Sequence, residues 1–236
     1  MSDLALITGG SKRIGISMTL TLAGMGYDIA LHYNKSRKDA LAARKQIREK
    51  GVECEIFKAD LADPSHAAGL IKEINKSMKG LSMLVNNAAV FYEKPFLDVK
   101  EKDFDREFNI NFKSPFFLSK HFAETVSGGM IINLLDSRVS KVHTAHFVYN
   151  LTKNALMHLT LMLAKELGPK IRVNAICPGP ILPADGEDMA LLRKIASKTP
   201  LKKTGDTVYI DSALKYLVEN KFITGEMLFV DGGQHL

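Results

Sequence analysis

The sequence predicts a single α/β domain built on a doubly wound parallel sheet. Short runs rich in β-branched and apolar residues alternate with helix-period segments along all 236 residues. Several of these runs are apolar throughout, as expected for strands that helices cover on both faces. No Pro/Ser-rich linker, low-complexity tract or internal repeat divides the chain, and α/β chains of this length often form one domain. One domain over residues 1–236 is therefore expected.

Seven strands are predicted, at 4–8, 28–33, 52–57, 82–86, 130–135, 171–176 and 227–230. Helix-period segments lie between them at 13–25, 37–50, 65–79, 100–126, 148–167 and 207–219, several of them introduced by Asp, Ser or Pro. The longest irregular stretch, at 178–200, is expected to carry a short helix and to act as a mobile substrate flap near 180–200.

The composition excludes fibrous, disordered and membrane-spanning proteins. The chain is 46% hydrophobic and 25% charged, and no stretch reaches the roughly 18 consecutive apolar residues of a membrane helix. The start, MSDLALITGG, lacks the basic region and long apolar run of a secretory signal, so a cytoplasmic location is expected. Cys54 and Cys177 lie far apart without metal-ligand spacing, which is typical of free thiols in a reducing compartment. No metal site is expected.

The net charge of +6 does not predict a nucleic-acid partner, because the positive residues are spread along the chain. The densest stretch, KSRKDALAARKQIREK at 35–50, has one apolar stripe and is typical of a helix with a solvated basic face. Its N-terminal end is an alternative anion site, because a helix start favours negative charge. Neither nucleic acid nor a membrane is expected as a partner.

A glycine-rich turn, ITGGSKRIG at 7–15, follows the first strand. Gly9 and Gly10 let the backbone approach a phosphate, and Gly15 allows close packing of the next helix. No Lys-Ser or Lys-Thr pair closes the turn, so the phosphate loop of nucleotide hydrolases does not fit. Arg13 stands where many dinucleotide folds have another glycine, and a guanidinium there suits a phosphate or a substrate. These features predict a Rossmann-type dinucleotide-binding domain, with an ordinary tight connection as the alternative.

The residues after the second strand favour NADPH over NADH. An acidic side chain there would bind the ribose 2′-hydroxyl of NAD, but the sequence has Asn34, Lys35, Ser36 and Arg37. These side chains offer hydrogen-bond donors and no repulsion to a 2′-phosphate. The alternative is that they are exposed loop residues without a ligand.

Tyr149 and Lys153 are four residues apart, so a helix places them on one face. They lie near the start of the helix after the fifth strand, at the edge where ligands bind parallel sheets. An ammonium about 4 Å from the phenol would contribute up to about 4 kcal/mol, which predicts that the pKa of Tyr149 falls from about 10 towards 7. Lys153 would also hold the cofactor ribose, leaving Tyr149 to exchange a proton with a substrate reduced by hydride.

Together these pieces resemble the short-chain dehydrogenase/reductase family over essentially the whole chain. The matched segments are ITGGSKRIG, Asp60-Leu61, NNA at 86–88, Asn111 in NINFKSPFFLSK, YNLTK at 149–153, IRVNAICPG at 171–179 and ITGEMLFVDGG near the end. The resemblance implies that Gly9, Arg13, Ile14 and Gly15 surround the pyrophosphate, Asp60 and Leu61 the adenine, Asn87 and Ala88 the ribose, and Pro178, Gly179 and Ile181 the nicotinamide. It implies that Asn111, Tyr149 and Lys153 are catalytic. It also implies a homotetramer with contacts through the helices near 100–126 and 148–167 and the last strand.

Two departures from the common family pattern narrow the resemblance to the pteridine reductase branch, which includes dihydromonapterin reductases. The position thirteen residues before Tyr149 usually holds a serine and here is Asp136, and the middle glycine of the first turn is Arg13. HYNKS at 32–36, Phe91 in NNAAVFYEKP and the terminal DGGQHL agree with this branch. The resemblance implies a pterin substrate bound by Arg13, Phe91, Asp136 and Tyr149, with the Phe91 ring stacking it against the nicotinamide. Core packing is the alternative role of that ring.

The predicted function is NADPH-dependent reduction of a dihydropterin to its tetrahydro form, with Asp136 assisting the proton supply through Tyr149. A carbonyl reductase of the 3-oxoacyl-(acyl-carrier-protein) reductase type shares the scaffold but normally has serine at position 136. A regulator that binds a dinucleotide without catalysis and uses its basic surface on nucleic acid is a third hypothesis. His143 and His146 precede Tyr149 and are expected to be surface or structurally satisfied histidines, with a place at the edge of the substrate pocket as the alternative.

Overall fold

The computed structural model describes residues 3–183 and 188–236, and within this part of the chain seven parallel strands form one sheet. The strands are β1 (Leu4–Ile7), β2 (Asp28–Tyr33), β3 (Cys54–Lys58), β4 (Leu81–Asn86), β5 (Gly129–Leu134), β6 (Ile171–Pro178) and β7 (Met227–Val230). Their order across the sheet is β3-β2-β1-β4-β5-β6-β7. The prediction of a single-domain, doubly wound α/β fold is confirmed.

Helices cover both faces of this sheet. In the described ranges they are α1 (Arg13–Gly24), α2 (Arg37–Arg48), α3 (His66–Ser77), α4 (Glu101–Phe108), α5 (Ser114–Thr125), α6 (Phe147–Leu167), α7 (Met189–Ala196) and α8 (Thr207–Glu219). Short 3-10 helices span Phe96–Asp98 and Ser137–Ser140. None of the helices described here is long and apolar enough to cross a bilayer.

The first strand explains why its sequence is apolar at every position. Ala5 and Ile7 belong to a core cluster shared with α1, α2 and α8. Leu4 and Leu6 belong to a second cluster, on the side of α3, α5 and α6. Because successive side chains of a strand point to opposite faces, a strand between two helical layers has no polar face.

The strand order reverses direction at β1. β2 and β3 extend from β1 to one side, while β4 to β7 extend to the other. Ligands of open parallel sheets bind in the crevice outside the carboxyl ends of the strands at such a point. The topology therefore predicts a ligand site among the segments that follow β1, β2 and β4.

The helix predicted over 100–126 is divided in the structure. α4 is followed by a π-helical turn at Asn109–Lys113 before α5 begins at Ser114. Pro115 lies in the first turn of α5 and has no N–H, so it cannot donate an α-helical hydrogen bond to the carbonyl of Asn111. The apolar pattern continues through this region, and so it does not reveal the change in winding.

The stretch at 178–200 contains the short helix that was expected there. α7 begins after Asp188, whose carboxylate accepts the N–H of Leu191 at 2.9 Å and so caps the helix. Residues 184–187 of the predicted flap lie outside the described residues. Movement of the flap stays a prediction.

Candidate functional site

The residues singled out in the sequence meet in one cleft of about 770 Å³ at the carboxyl ends of the strands. Those that line it are Gly9, Arg13, Ile14, Gly15, Asn34, Lys35, Ser36, Asp60, Leu61, Asn87, Ala88, Phe91, Asp136, Tyr149, Lys153, Pro178, Gly179 and Ile181. The predicted site residue outside this lining is Asn111. The cleft runs from the end of β2 past the glycine turn to the Tyr149 hydroxyl.

The glycine turn after β1 is closely packed. Gly9 has a φ of +61°, in the left-handed region that favours glycine. A Cβ at Gly15 would lie 2.3 Å from the carbonyl oxygen of Gly9, so only glycine fits there. Asn87 Nδ2 donates to the carbonyls of Thr8 at 2.8 Å and Gly9 at 3.1 Å. The chain can therefore approach a phosphate closely at this turn, which suits a dinucleotide.

His32 is a residue of this region that the sequence analysis did not single out. It lies on β2, is 2% exposed and lines the cleft. Gly9 N–H donates to His32 Nδ1 at 3.1 Å. The signal in the sequence was a histidine within an otherwise apolar strand, and that signal alone does not indicate a role.

The end of β2 forms the far end of the cleft. Asn34 Nδ2 donates to Asp60 Oδ1 at 3.0 Å, and the hydroxyls of Ser11 and Ser36 lie 3.1 Å apart. Lys35 is exposed at the same edge. The lysine, the serines and the amide provide donors for an anionic group, and the nearby carboxylate is already engaged by Asn34.

The Tyr149 hydroxyl donates to Asp136 Oδ2 at 3.0 Å. The other oxygen, Asp136 Oδ1, accepts the N–H of Arg138 at 2.8 Å and caps the 3-10 helix Ser137–Ser140. Burial, together with the Asp136 carboxylate, raises the pKa of Tyr149 well above 10. The expectation that this pKa falls towards 7 was therefore wrong, because the hydroxyl meets a carboxylate and not the ammonium.

Lys153 is buried behind the tyrosine ring. Its Nζ donates to the carbonyl of Leu134 at 2.6 Å and lies 5.6 Å from the centre of the Tyr149 ring. Burial lowers the pKa of Lys153 to about 8, with Asp136 acting in the opposite direction. The four-residue spacing does put both side chains on one helix face, but the ammonium lies against the ring and a backbone oxygen.

Asn111 does not line the cleft, and its catalytic role stays a prediction. Its Oδ1 accepts the N–H of Val90 at 2.8 Å, and its Nδ2 donates to Val90 O at 2.9 Å and Thr152 Oγ1 at 3.2 Å. The side chain is 1% exposed because it lies in the π-helical turn beneath these partners. Through these bonds it joins the segment carrying Phe91 to the helix carrying Lys153.

The Phe91 ring lies in the cleft beside the tyrosine. His146 stacks on it with ring centres 3.8 Å apart and an angle of 17°, and Tyr149 meets it edge-on at 4.7 Å. The Arg138 guanidinium lies 5.1 Å from the centre of the same ring. His146 is buried and stacks on this ring, but it is not among the residues that line the cleft. No sequence signal indicated Arg138.

Arg13 begins α1 with a φ of +54°. Its guanidinium donates to the carbonyl of Pro183 at 2.5 Å. The residue expected to meet a phosphate or the substrate therefore also ties the glycine turn to the segment after β6.

Glu107 is a further titratable group that the sequence analysis missed. It lies on α4, is 2% exposed, and its Oε2 accepts no hydrogen bond from the described residues. Burial raises its pKa to about 7; Asp103 adds to this rise, and Lys94, which is ion-paired with Asp103, opposes it. Glu107 also contributes to the raised pKa of Tyr149.

The terminal DGGQHL segment closes the cleft beside Asp136. Ser137 Oγ donates to Gln234 Oε1 at 2.9 Å, and Ser140 Oγ donates to the carbonyl of His235 at 3.1 Å. Gln234 also lines the cleft. These bonds fix the 3-10 helix that follows the carboxylate.

In the described ranges no group of three or more His, Cys, Asp or Glu side chains is arranged to hold a metal ion. Cys54 and Cys177 are buried free thiols, and burial raises the pKa of each to about 12. Neither thiol is suited to act as a nucleophile at neutral pH.

A parallel sheet with a glycine turn at its switch point, and a buried Tyr–Lys pair beside the same cleft, define a dinucleotide-dependent oxidoreductase. The family model described as Enoyl-(Acyl carrier protein) reductase matches residues 9–235. The chain belongs to the short-chain dehydrogenase/reductase family, as its motifs indicated.

The relatives cover the chain almost completely. The 3-oxoacyl-[acyl-carrier-protein] reductase FabG of Staphylococcus aureus (strain Mu50) is 31% identical over 100% of this chain and 99% of that protein. FolM alternative dihydrofolate reductase 1 from Brucella canis, solved in complex with NADP, is 34% identical with a TM-score of 0.94, over 99% of this chain and 94% of that one. A short chain dehydrogenase from Burkholderia cenocepacia J2315, also in complex with NADP, is 30% identical with a TM-score of 0.92, over 99% and 98%. Two different substrate classes appear in these names: a 3-oxoacyl-[acyl-carrier-protein] for FabG and dihydrofolate for FolM.

Proposed function

We propose that this chain is an NADPH-dependent reductase that converts a dihydropterin to its tetrahydro form. The observation that carries the proposal is the hydrogen bond from the Tyr149 hydroxyl to Asp136, next to the Phe91 ring. This arrangement places a proton donor, a carboxyl group and an aromatic face within one cleft. A flat nitrogen heterocycle with a C=N bond needs these three groups.

NADPH fits the other half of the cleft. Lys35 and Ser36 offer donors to a 2′-phosphate, and the turn at Gly9 and Gly15 suits the pyrophosphate. The proposed remaining contacts are Arg13, Ile14, Asn34, Asp60, Leu61, Asn87, Ala88, Tyr149, Lys153, Pro178, Gly179 and Ile181. The NADP complexes of the FolM and Burkholderia relatives support the same cofactor.

When bound, the cofactor supplies a hydride to the carbon of the ring C=N bond, and the ring nitrogen takes one proton. Tyr149 is placed to give that proton, because its hydroxyl is protonated at neutral pH and lies in the cleft beside Asp136. Asp136 holds the hydroxyl in the cleft and is placed to return a proton from water to it. A carboxylate can only accept hydrogen bonds, so Asp136 acts on the substrate carbon–nitrogen bond through the tyrosine or when it is itself protonated.

Lys153 has a different role in this proposal. With a pKa of about 8 it is mostly protonated at pH 7, and its Nζ is fixed by the Leu134 carbonyl. Another N–H of the ammonium can donate to a ribose hydroxyl. Lys153 thus binds and orients the cofactor beside Tyr149.

The substrate is proposed to stack on Phe91. His146 already covers one face of that ring at 3.8 Å. The Arg138 guanidinium lies over the same ring at 5.1 Å from its centre, so a flat ligand stacks here by displacing the imidazole or the guanidinium. Arg13 and Arg138 lie near enough to the cleft to meet polar atoms on the edge of a pterin.

A 3-oxoacyl-(acyl-carrier-protein) reductase is the second candidate, and the 31% identity to FabG along the whole chain favours it. The side chain at position 136 opposes it. The serine usual at this position in that type of reductase donates a hydrogen bond to the substrate carbonyl, and a carboxylate offers only acceptors.

The test is a steady-state comparison of wild type and Asp136→Ser on a dihydropterin and on an acetoacetyl thioester. For a pterin reductase, kcat/KM on the dihydropterin falls by about 100-fold or more, because general acid catalysis is impaired. NADPH affinity serves as the control and is expected to be unchanged. A gain on the thioester with no loss on the pterin would refute the pterin assignment and support the carbonyl reductase.

A homotetramer and a cytoplasmic location complete the proposal. Exposed apolar side chains on the helices expected at the subunit contacts support the assembly. They are Phe104 on α4, Phe116 on α5, and Leu151, Leu161 and Met162 on α6. Contact with another copy of the chain would bury these side chains and remove them from water.

A further inference from the structure

We infer that His32 is a positioning residue of the cofactor site, whose neutral imidazole fixes the distance between the glycine turn and the end of β3. The inference rests on the NADPH-binding part of the proposed function. Its evidence is independent of the substrate.

His32 binds two successive amides of the turn. Gly9 N–H donates to the ring at Nδ1 over 3.1 Å, and Gly10 N–H donates to the backbone carbonyl of His32 over 3.3 Å. Asn87 binds the carbonyl of Gly9 from β4, on the other side of β1. The left-handed Gly9 is thus held from both neighbouring strands.

The two contacts of the ring determine its tautomer. A backbone N–H can only donate, so Nδ1 must be the unprotonated nitrogen that accepts from Gly9. Nε2 therefore carries the hydrogen and donates to the carbonyl of Ala59 at 3.1 Å. Burial lowers the pKa of His32 to about 4, against the opposing effects of the Ala59 carbonyl and the Asp60 carboxylate, so the ring is neutral at neutral pH. This is the form that the geometry requires.

The ring also joins the two ends of the cofactor site. Ala59 directly precedes Asp60, which accepts a hydrogen bond from Asn34. One imidazole therefore spans the turn proposed at the pyrophosphate and the segment proposed at the adenine. Loss of either hydrogen bond leaves a partly buried backbone group without this partner and frees one end.

The test compares NADPH binding, followed by fluorescence titration without substrate, in His32→Leu, His32→Asn and Leu31→Ala. Leucine removes both ring contacts, whereas the asparagine Oδ1 replaces the Nδ1 acceptor. Leu31 is the matched control, because it is buried on the same strand in the core cluster with α1, α2 and α8. Thermal unfolding of each free protein gives the general loss of stability.

We expect His32→Leu to weaken NADPH binding by about 10- to 100-fold, and His32→Asn, which keeps the Gly9 contact and loses the Ala59 contact, to give a Kd between those of His32→Leu and wild type. Leu31→Ala should lower the unfolding temperature without changing the NADPH Kd. Wild-type affinity in His32→Leu, or equal weakening in His32→Leu and Leu31→Ala, would overturn the inference.

If His32→Leu does not fold, His32→Gln takes its place, because a glutamine amide reaches the Nε2 position and leaves Gly9 without its acceptor. Weaker NADPH binding than wild type in both the asparagine and the glutamine variants supports the inference, and wild-type binding in either variant overturns it. Failure of the wild type to bind NADPH would instead contradict the proposed function, and the inference with it.

Discussion

Replacement of Glu107 by glutamine should stabilise the protein at alkaline pH and have little effect in mild acid. The side chain is buried on α4, and its pKa is raised from 4.5 to about 7. Glutamine has the same shape and remains neutral at every pH. The variant therefore removes the cost of charging a carboxyl group in the protein interior.

The sign and size follow from proton linkage. Between pH 4.5 and about 7 the folded protein holds a proton at Glu107 that the unfolded chain has released, so this group's contribution to stability falls as the pH rises. Below this window both states are protonated, and above it the contribution is fully lost. A pKa displacement of this size corresponds to about 3 kcal/mol. We therefore expect Glu107→Gln to gain up to about 3 kcal/mol over wild type at pH 8, and little at pH 4.5.

The assay is urea unfolding of both proteins at pH 4.5, 6 and 8, at one protein concentration, with the difference in unfolding free energy plotted against pH. Asp105→Asn is the matched control, because it removes an exposed carboxylate from the same helix. Its difference from wild type at each pH gives the effect of removing a surface charge from this helix, against which the Glu107→Gln difference is compared. A Glu107→Gln difference that does not grow with pH would refute the reasoning.

The remaining predictions concern the cleft. Wild type should have a higher kcat/KM with NADPH than with NADH, and Lys35→Ala should reduce that preference by about tenfold through loss of a charge-assisted contact; an enzyme that prefers NADH would contradict this. Tyr149→Phe should lose about 100-fold or more in kcat while NADPH titration still gives the wild-type Kd, whereas Lys153→Ala should impair both. Retained turnover in Tyr149→Phe would overturn the proposed proton donor. Phe91→Ala should raise the KM for a dihydropterin by about fivefold to tenfold, with NADPH binding little changed, because it removes a stacking face of about 1 kcal/mol or more. Light scattering should give the mass of four chains, and a monomer at working concentration would exclude the tetramer.

The strands and the position of the cleft could be predicted because burial on both faces of the sheet requires a recognisable apolar pattern in the sequence. A strand such as LALI, covered on both faces, must be apolar at every position, and the chain segments after such strands necessarily meet at one sheet edge. This is why Gly9, Asp60 and Asp136, far apart in the sequence, were expected in one site.

The contacts of individual atoms could not be predicted in the same way. The spacing of Tyr149 and Lys153 fixes a shared helix face, but it does not say that the hydroxyl meets Asp136 and the ammonium meets Leu134. The inward turn of Asn111 depends on a π-helical turn whose apolar pattern looks like an ordinary helix. The stacking of His146 on Phe91 joins residues from two distant loops.

The two oxygens of the Asp136 carboxylate have different partners, and this affects which substitutions position 136 can accept. One oxygen of Asp136 accepts the N–H of Arg138 and so caps the 3-10 helix that follows β5. The other oxygen accepts the hydrogen bond from the Tyr149 hydroxyl. Serine is also a good capping residue. An exchange between aspartate and serine therefore leaves the backbone turn intact while it converts an acceptor beside the tyrosine into a donor. If the proposed function holds, a single substitution at this position would change the kind of double bond that the cleft is suited to reduce, with little effect on the scaffold.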